Sequence, residues 1–230
     1  MNVSPQPEQS PTPCPECGLV YQCICQAIPR CDSTIKLSLL VHERELNRET
    51  NTGRWLVHAL PQCQSYLWQR KQPDVRFQQQ LDDPRFFPVL LFPSPDAVTA
   101  DELCVQTDDE HYHPHHNYQY QHHDHQVKEH QPTLHFILLD GTWQEARKME
   151  RKSAWLAGLP RVQITPNMTS SYRLRRNQQP DSLCTLEVVA TLLDQRGETK
   201  DAQALKDFLH LFMDTLQADK SRSPARFVQR

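Results

Sequence analysis

An acidic residue directly after a buried strand is costly, and this chain carries one at Asp140. Residues 134 to 139 form a nearly continuous apolar run of strand length, the pattern of a strand covered on both faces in a parallel sheet. Asp140 stands at its carboxyl end, the edge where open α/β sheets bind ligands because the connecting loops part there. A carboxylate in that position must be paired, bonded to amides or turned towards a ligand. Its neighbours have simpler explanations as well. Thr142 followed by Glu145 is a capping box for a new helix. Gly141 allows a sharp turn, and Trp143 could be core packing.

The second chemical cluster is made of thiols. Cys14, Cys17, Cys23 and Cys25 lie within twelve residues in a C-x2-C-x5-C-x-C arrangement. Four thiolates at this density can wrap one tetrahedral zinc and order a segment that lacks a core of its own. Such a site is closed and structural, with every position filled by protein. Cys31 exceeds the ligand count, and Cys63, Cys104 and Cys184 read as small buried hydrophobes.

The elements that would position these groups follow an α/β order. Ile35 to Val41 reads as a strand closed by His42 and Glu43, and Asn51-Thr52-Gly53 as a turn. Residues 54 to 60 have helical spacing at Trp55, Leu56 and Ala59, ended by Pro61. Further strands are expected at 65–68, 89–92, 134–139 and 162–164. The stretch 202–216 is amphipathic, with Leu205, Phe208, Leu209, Phe212 and Leu216 on one face, and is expected to pack on the sheet.

Composition bounds the class. A chain of 230 residues, 37% hydrophobic, can build one substantial core, and 18 prolines against 5 glycines imply rigid loops. No apolar stretch reaches membrane-span length and the first residues lack a signal-peptide pattern, so a cytoplasmic protein is expected. The net charge is only -3, which restricts any nucleic-acid surface to a local patch. Residues 1–13 read as disordered, 14–33 as the zinc-binding segment, 34–219 as one catalytic domain and 220–230 as a basic tail. Residues 108–132 hold eight of the twelve histidines and have no apolar face, the mark of a solvated insert that can also ligate metal adventitiously. The five glycines include no G-x-G-x-x-G, against a dinucleotide-type cofactor loop.

Asp140-Gly141-Thr142-Trp143 resembles the D-x-T-W signature of the DTW-domain family. Four further segments resemble that family in the same order: Thr50-Asn51-Thr52-Gly53-Arg54, Leu91-Phe92-Pro93-Ser94, Ser170-Ser171-Tyr172-Arg173-Leu174-Arg175 and Thr185-Leu186-Glu187. The resemblance covers residues 14 to about 195 and is greatest to bacterial tRNA-uridine aminocarboxypropyltransferases. It implies a fold similar to the knotted SPOUT methyltransferases: a mostly parallel sheet flanked by helices, with a carboxyl-terminal knot. It also implies transfer of the 3-amino-3-carboxypropyl group of S-adenosylmethionine to N3 of a tRNA uridine, at position 47 of the variable loop, with release of methylthioadenosine.

On that resemblance Asp140 is the candidate catalytic residue, either as the base that takes the N3 proton or, with no side chain acting as base, as a group that binds the cofactor's ammonium or ribose. Leu139, Asp140, Gly141, Thr142, Trp143, Ser171, Tyr172, Arg173, Thr185 and Glu187 are the candidate cofactor contacts, although Thr185 could equally be a cap and Glu187 a solvated helix residue. Asn51, Thr52, Arg54, Arg147, Lys148, Arg175 and Arg176 are the candidate RNA contacts. Arg173 could instead clamp the cofactor carboxylate. The group Arg147, Lys148, Arg151 and Lys152 reads equally as an RNA surface or as a solvated helix face balanced by Glu145 and Glu150. Two other functions share these features: a SPOUT-like methyltransferase using the same donor, and a non-catalytic zinc and RNA-binding module.

Overall fold

The structure is a computed structural model, and it describes residues 12–99, 132–165, 169–174 and 182–221. The histidine-rich insert, Cys104, Arg175, Arg176 and nearly all of the basic tail lie outside the described residues. Six strands form one sheet: β1 (Lys36–Val41), β2 (Cys63–Leu67), β3 (Phe86–Leu91), β4 (Val98–Thr99), β5 (Thr133–Asp140) and β6 (Arg161–Gln163). Their order is β2-β1-β5-β3-β6-β4 and every pairing is parallel. Among the described residues five helices accompany them: α1 (Gly53–Ala59), α2 (Val75–Leu81), α3 (Trp143–Lys152), α4 (Thr185–Gln195) and α5 (Thr199–Lys220).

The apolar runs are continuous because both faces are covered. Leu37, Leu39, Phe136, Leu138 and Val89 face a core shared with α1, α4 and α5. Leu40, Ile137, Leu139 and Leu90, one residue out of phase, face a second core with α2 and α3. This is the two-face alternation of a pleated strand. The amphipathic stretch expected over 202–216 extends to the full length of α5. It packs beside α4, and the edges of Phe208 and Phe212 meet Trp55 of α1 at 5.6 and 5.3 Å. Neither α2 nor the two-residue β4 is among the elements read from the sequence. Asp74 caps α2 by accepting from the Arg76 amide at 2.8 Å, and Phe77 is its one fully buried anchor.

The topology fixes where a ligand could enter. From β1 the chain moves outward to β2, whereas from β5 it moves the opposite way, past β3, to β6. β1 and β5 are therefore neighbours whose connections diverge, the position at which open α/β sheets place their ligands. Val41 and Asp140 are partners in register at that point, and the His42 amide donates to the Asp140 carbonyl at 2.9 Å. Among the described residues, no helix is long and apolar enough to cross a membrane.

One contact sets how α1 meets this edge. A Cβ built on Gly53, the first residue of α1, would lie 2.6 to 2.8 Å from the Asp140 carboxylate. Glycine is needed here for close approach, since any side chain collides with the acid. Gly53→Ala should lower stability by about 1–3 kcal/mol, the usual cost of overpacking. A shift of the urea midpoint at unchanged slope would show it; an unshifted midpoint would mean that α1 and β5 are free to separate.

Candidate functional site

Asp140 ends β5 with 2% of its surface exposed, and both carboxylate oxygens have donors. Asn51 Nδ2 donates to Oδ2 at 2.7 Å, and Thr185 Oγ1 donates to Oδ1 at 2.6 Å. These partners come from two helix starts. Thr185 opens α4, while Asn51 stands just before α1, its Oδ1 accepting from the Arg54 amide of the first turn at 2.8 Å. Thr52 ties the two starts together, its hydroxyl accepting from the Leu186 amide at 3.4 Å. The amino ends of two helices thus face one buried carboxylate, which suits the positive end of each helix dipole.

The network runs on through further charged groups. The second Asn51 Nδ2 proton goes to Glu45 Oε2 at 3.1 Å, so both donors of this amide serve carboxylates. Glu45 forms a close ion pair with Arg48, whose guanidinium also approaches Glu145 Oε2 at 3.6 Å. Glu145 Oε2 accepts from the amide and the hydroxyl of Thr142, each at 2.8 Å, while Thr142 Oγ1 accepts from the Glu145 amide at 3.3 Å. The capping box is therefore formed, and it does more than cap. Burial opposes the Glu145 charge, but the Thr142 donors, Arg48 and His42 outweigh it and hold the acid below its ordinary range. His42 Nδ1 lies 3.8 Å from Glu145 Oε1, with its ring stacked on Trp68 at 5.7 Å.

A third carboxylate organises the opposite side. Glu187 is 3% exposed and accepts from Ser170 Oγ at 2.7 Å, from Ser171 N and Oγ at 2.7 and 3.0 Å, and from the Cys184 amide at 2.8 Å. It binds the 170–172 segment to the start of α4. Tyr172 is buried as well, and its hydroxyl donates to the Thr50 carbonyl at 2.6 Å. Thr50 to Thr52, Asp140 to Thr142, Ser170 to Tyr172 and Thr185 to Glu187 therefore meet in one place.

Several residues sit elsewhere than their sequence suggested. Asn51 and Thr52, expected on an RNA surface, are each 3% exposed and spend their polar atoms inside this network. Arg54 stacks over Trp55 at 4.2 Å from the ring centre and donates to the Cys17 carbonyl at 3.0 Å, so it is a strut and not a surface cation. Glu187 is no solvated helix residue, because four donors bury it. Arg173 turns away to an ion pair with Asp214 on α5. Leu139 faces the α2 and α3 core. Trp143 is not core packing: it is 44% exposed, with its ring stacked on Phe92. Glu45 and Arg48, absent from the expected site, are its hidden members. Their faint signal is a polar series, His42, Glu45 and Arg48, at three-residue spacing after a buried strand.

The thiol cluster is a separate centre. The Sγ atoms of Cys14, Cys17, Cys23 and Cys25 all lie within 4.8 Å of one another. The Cys14 sulfur is 3.6 Å from that of Cys23 and 3.8 Å from that of Cys25. Tetrahedral coordination with metal–sulfur bonds of ~2.3 Å sets edges of ~3.8 Å, so the four thiols could hold one metal ion. The amides of Cys17 and Glu16 lower Cys14 to about 6, which favours the thiolate, while burial raises Cys17 and Cys25. The segment is docked on the main core. Cys17, Leu19 and Ile24 join it, and Asp219 of α5 accepts from the amides of Val20 at 3.0 Å and Tyr21 at 2.7 Å.

Comparison with known proteins gives two findings. The DTW domain family matches residues 12–217. A curated relative, tRNA-uridine aminocarboxypropyltransferase 2 of Drosophila melanogaster, is 26% identical over 211 residues, spanning 87% of this chain and 74% of the relative. No solved structure gave a match. With Asp140 and Thr142 of the signature Asp140-Gly141-Thr142-Trp143 bonded into the network and the match extending over most of its length, the chain belongs to the DTW-domain family.

Proposed function

We propose that this protein is a tRNA-uridine aminocarboxypropyltransferase, a cytoplasmic enzyme that uses S-adenosylmethionine as its donor. The observation that carries the reading is the meeting of four family segments at the switch point of a parallel sheet, where Asn51 and Thr185 bond Asp140 and Ser170 and Ser171 bond Glu187. The activity for which the Drosophila melanogaster relative is named points the same way.

In this reaction a bond forms between uracil N3 and the γ-carbon of the donor's amino-acid arm as the carbon–sulfur bond breaks. The electron pair stays with sulfur in methylthioadenosine, and the N3 proton leaves to solvent or a nearby base. Three carbons flank a sulfonium, so orientation decides the product. A methyltransferase would need the same donor turned differently. The site therefore has to be rigid, and its buried hydrogen bonds supply that rigidity.

The role proposed for Asp140 is positioning. Both of its oxygens already have donors and it is 2% exposed, which suits fixing the starts of α1 and α4 better than taking a proton from the base. Around it, Thr142, Ser171 and Thr185 are the groups proposed to face the donor. The SPOUT-type knot belongs to the same proposal. So does the division into a metal-binding segment over 14–33 and a catalytic unit over 34–219. Zinc is the metal proposed for Cys14, Cys17, Cys23 and Cys25. Its contribution there is structural, since all four ligands come from the chain.

Incubation with S-adenosylmethionine and unmodified tRNA, followed by nucleoside mass spectrometry, is expected to add an aminocarboxypropyl mass and release methylthioadenosine. A methyl mass with adenosylhomocysteine would replace this reading by the methyltransferase one, and no product with bound tRNA would favour a binding module. Asp140→Asn should lower the rate by about a hundredfold, the scale of a small misplacement of reacting groups; an undiminished rate would remove Asp140 from the machinery.

Metal analysis of the purified protein should find roughly one zinc per chain, and a strong chelator should lower the melting temperature. Zinc-free protein with a chelator-insensitive melt would rule the centre out.

A further inference from the structure

At the carboxyl edge of the sheet, beside the buried network, lies an aromatic surface that the network does not use. Phe92 directly follows β3 and Trp143 opens α3 directly after β5. Because β3 and β5 are neighbours, these two turns bring the rings together, with centroids 5.4 Å apart and planes within 17°. Trp143 nevertheless leaves 44% of its surface in solvent. The capping box explains Thr142 and Glu145 at this turn, but it makes no use of the indole. A large exposed ring, held flat by a second ring beside the buried network, needs its own explanation.

The same helix presents cations. Arg147, Lys148, Arg151 and Lys152 are all exposed, and their four-residue spacing places them in two adjacent rows. The acids that could neutralise them are occupied elsewhere. Glu145 is buried in its bonds to Thr142, and Glu150 accepts from Arg161 at 2.7 Å. Among the described residues, none of the four makes an ion pair with a carboxylate. Arg147 places its guanidinium 5.1 Å from the centre of the Trp143 ring, where it can give way to an arriving planar group or cover it.

We propose that Phe92 and Trp143 form a stacking platform for an unpaired nucleobase of the RNA substrate, and that the cations of α3 hold the adjoining phosphates. The proposal rests on the tRNA reading above and adds to it the place where a base is received. Flat rings beside a row of cations are the combination that single-stranded nucleic acid requires: stacking for the base and charge for the backbone. The adenine of S-adenosylmethionine could also stack. The donor carries a sulfonium cation, however, and gains nothing from four neighbouring cations, whereas a polyanion gains from each of them. Trp143 is therefore assigned to RNA and not to the donor.

The test is binding of an unmodified tRNA transcript, followed by fluorescence anisotropy at fixed salt, with thermal melts to confirm that each variant is folded. Trp143→Ala should weaken binding about ten- to a hundredfold, as loss of one base stack does, while Trp143→Phe should stay within a few-fold of the parent. The triple variant Lys148→Gln, Arg151→Gln, Lys152→Gln should flatten the dependence of log affinity on log salt by roughly 2 to 3. Unchanged tRNA affinity in Trp143→Ala overturns the platform and leaves the tRNA reading standing. Affinity lost for methylthioadenosine but not for tRNA assigns the ring to the donor's adenine and also overturns it. If the parent protein does not bind tRNA at all, the tRNA reading falls and the platform with it.

Discussion

The site depends on one buried carboxylate at the end of a parallel strand. Asp140 carries a charge that its surroundings must compensate, and the compensation comes from Asn51 and Thr185, at the amino ends of two helices. Neither helix start can shift without stranding the acid, and a buried charge stripped of one partner costs several kcal/mol, about 3–5. Gly53 allows the approach by having no side chain. The positions of β5, α1 and α4 are thus coupled through a single group. A reaction whose product depends on which carbon of a sulfonium is presented needs a frame of this kind.

Rigidity spreads outward from there through paired polar groups. Asn51 hands the connection to Glu45, Arg48 carries it to Glu145, and Glu145 returns it to Thr142, beside Asp140 in the chain. Every carboxylate in this path has donors, the condition under which a buried network specifies one arrangement. Glu187 repeats the device for the 170–172 segment. The metal-binding segment is joined to the same frame: Arg54, whose amide donates to Asn51, reaches with its guanidinium to the Cys17 carbonyl. Order in the thiol cluster and order at the start of α1 therefore share a residue.

How much of this could be read from the sequence follows the range of the interactions. The β5 strand, its turn and the capping box of α3 were legible because apolar run length, Gly141 and the Thr142–Glu145 spacing are all local signals. The four-cysteine cluster was legible for the same reason. Asn51 and Thr52 were assigned to RNA through the family segment that holds them, and no local signal points to their partners: Asp140 lies 89 positions from Asn51, and the Leu186 amide 134 from Thr52. Glu45 and Arg48 gave no signal beyond their spacing from His42. Glu187 at the third position of α4 is ambiguous until the serines that bury it are folded against it. Tertiary pairing between distant polar residues leaves no periodicity to read, and that is where the reading failed.

The most direct measurement of this account is a double-mutant cycle on Asn51 and Asp140, using Asn51→Ala, Asp140→Ala and the pair, with stabilities from urea unfolding. If the Asp140 carboxylate is the constraint that fixes α1 against β5, the two losses will be non-additive, with a coupling of about 1–3 kcal/mol. Additive losses, with coupling near zero, would mean that the two side chains are neighbours without being partners, and the account would be wrong at its centre.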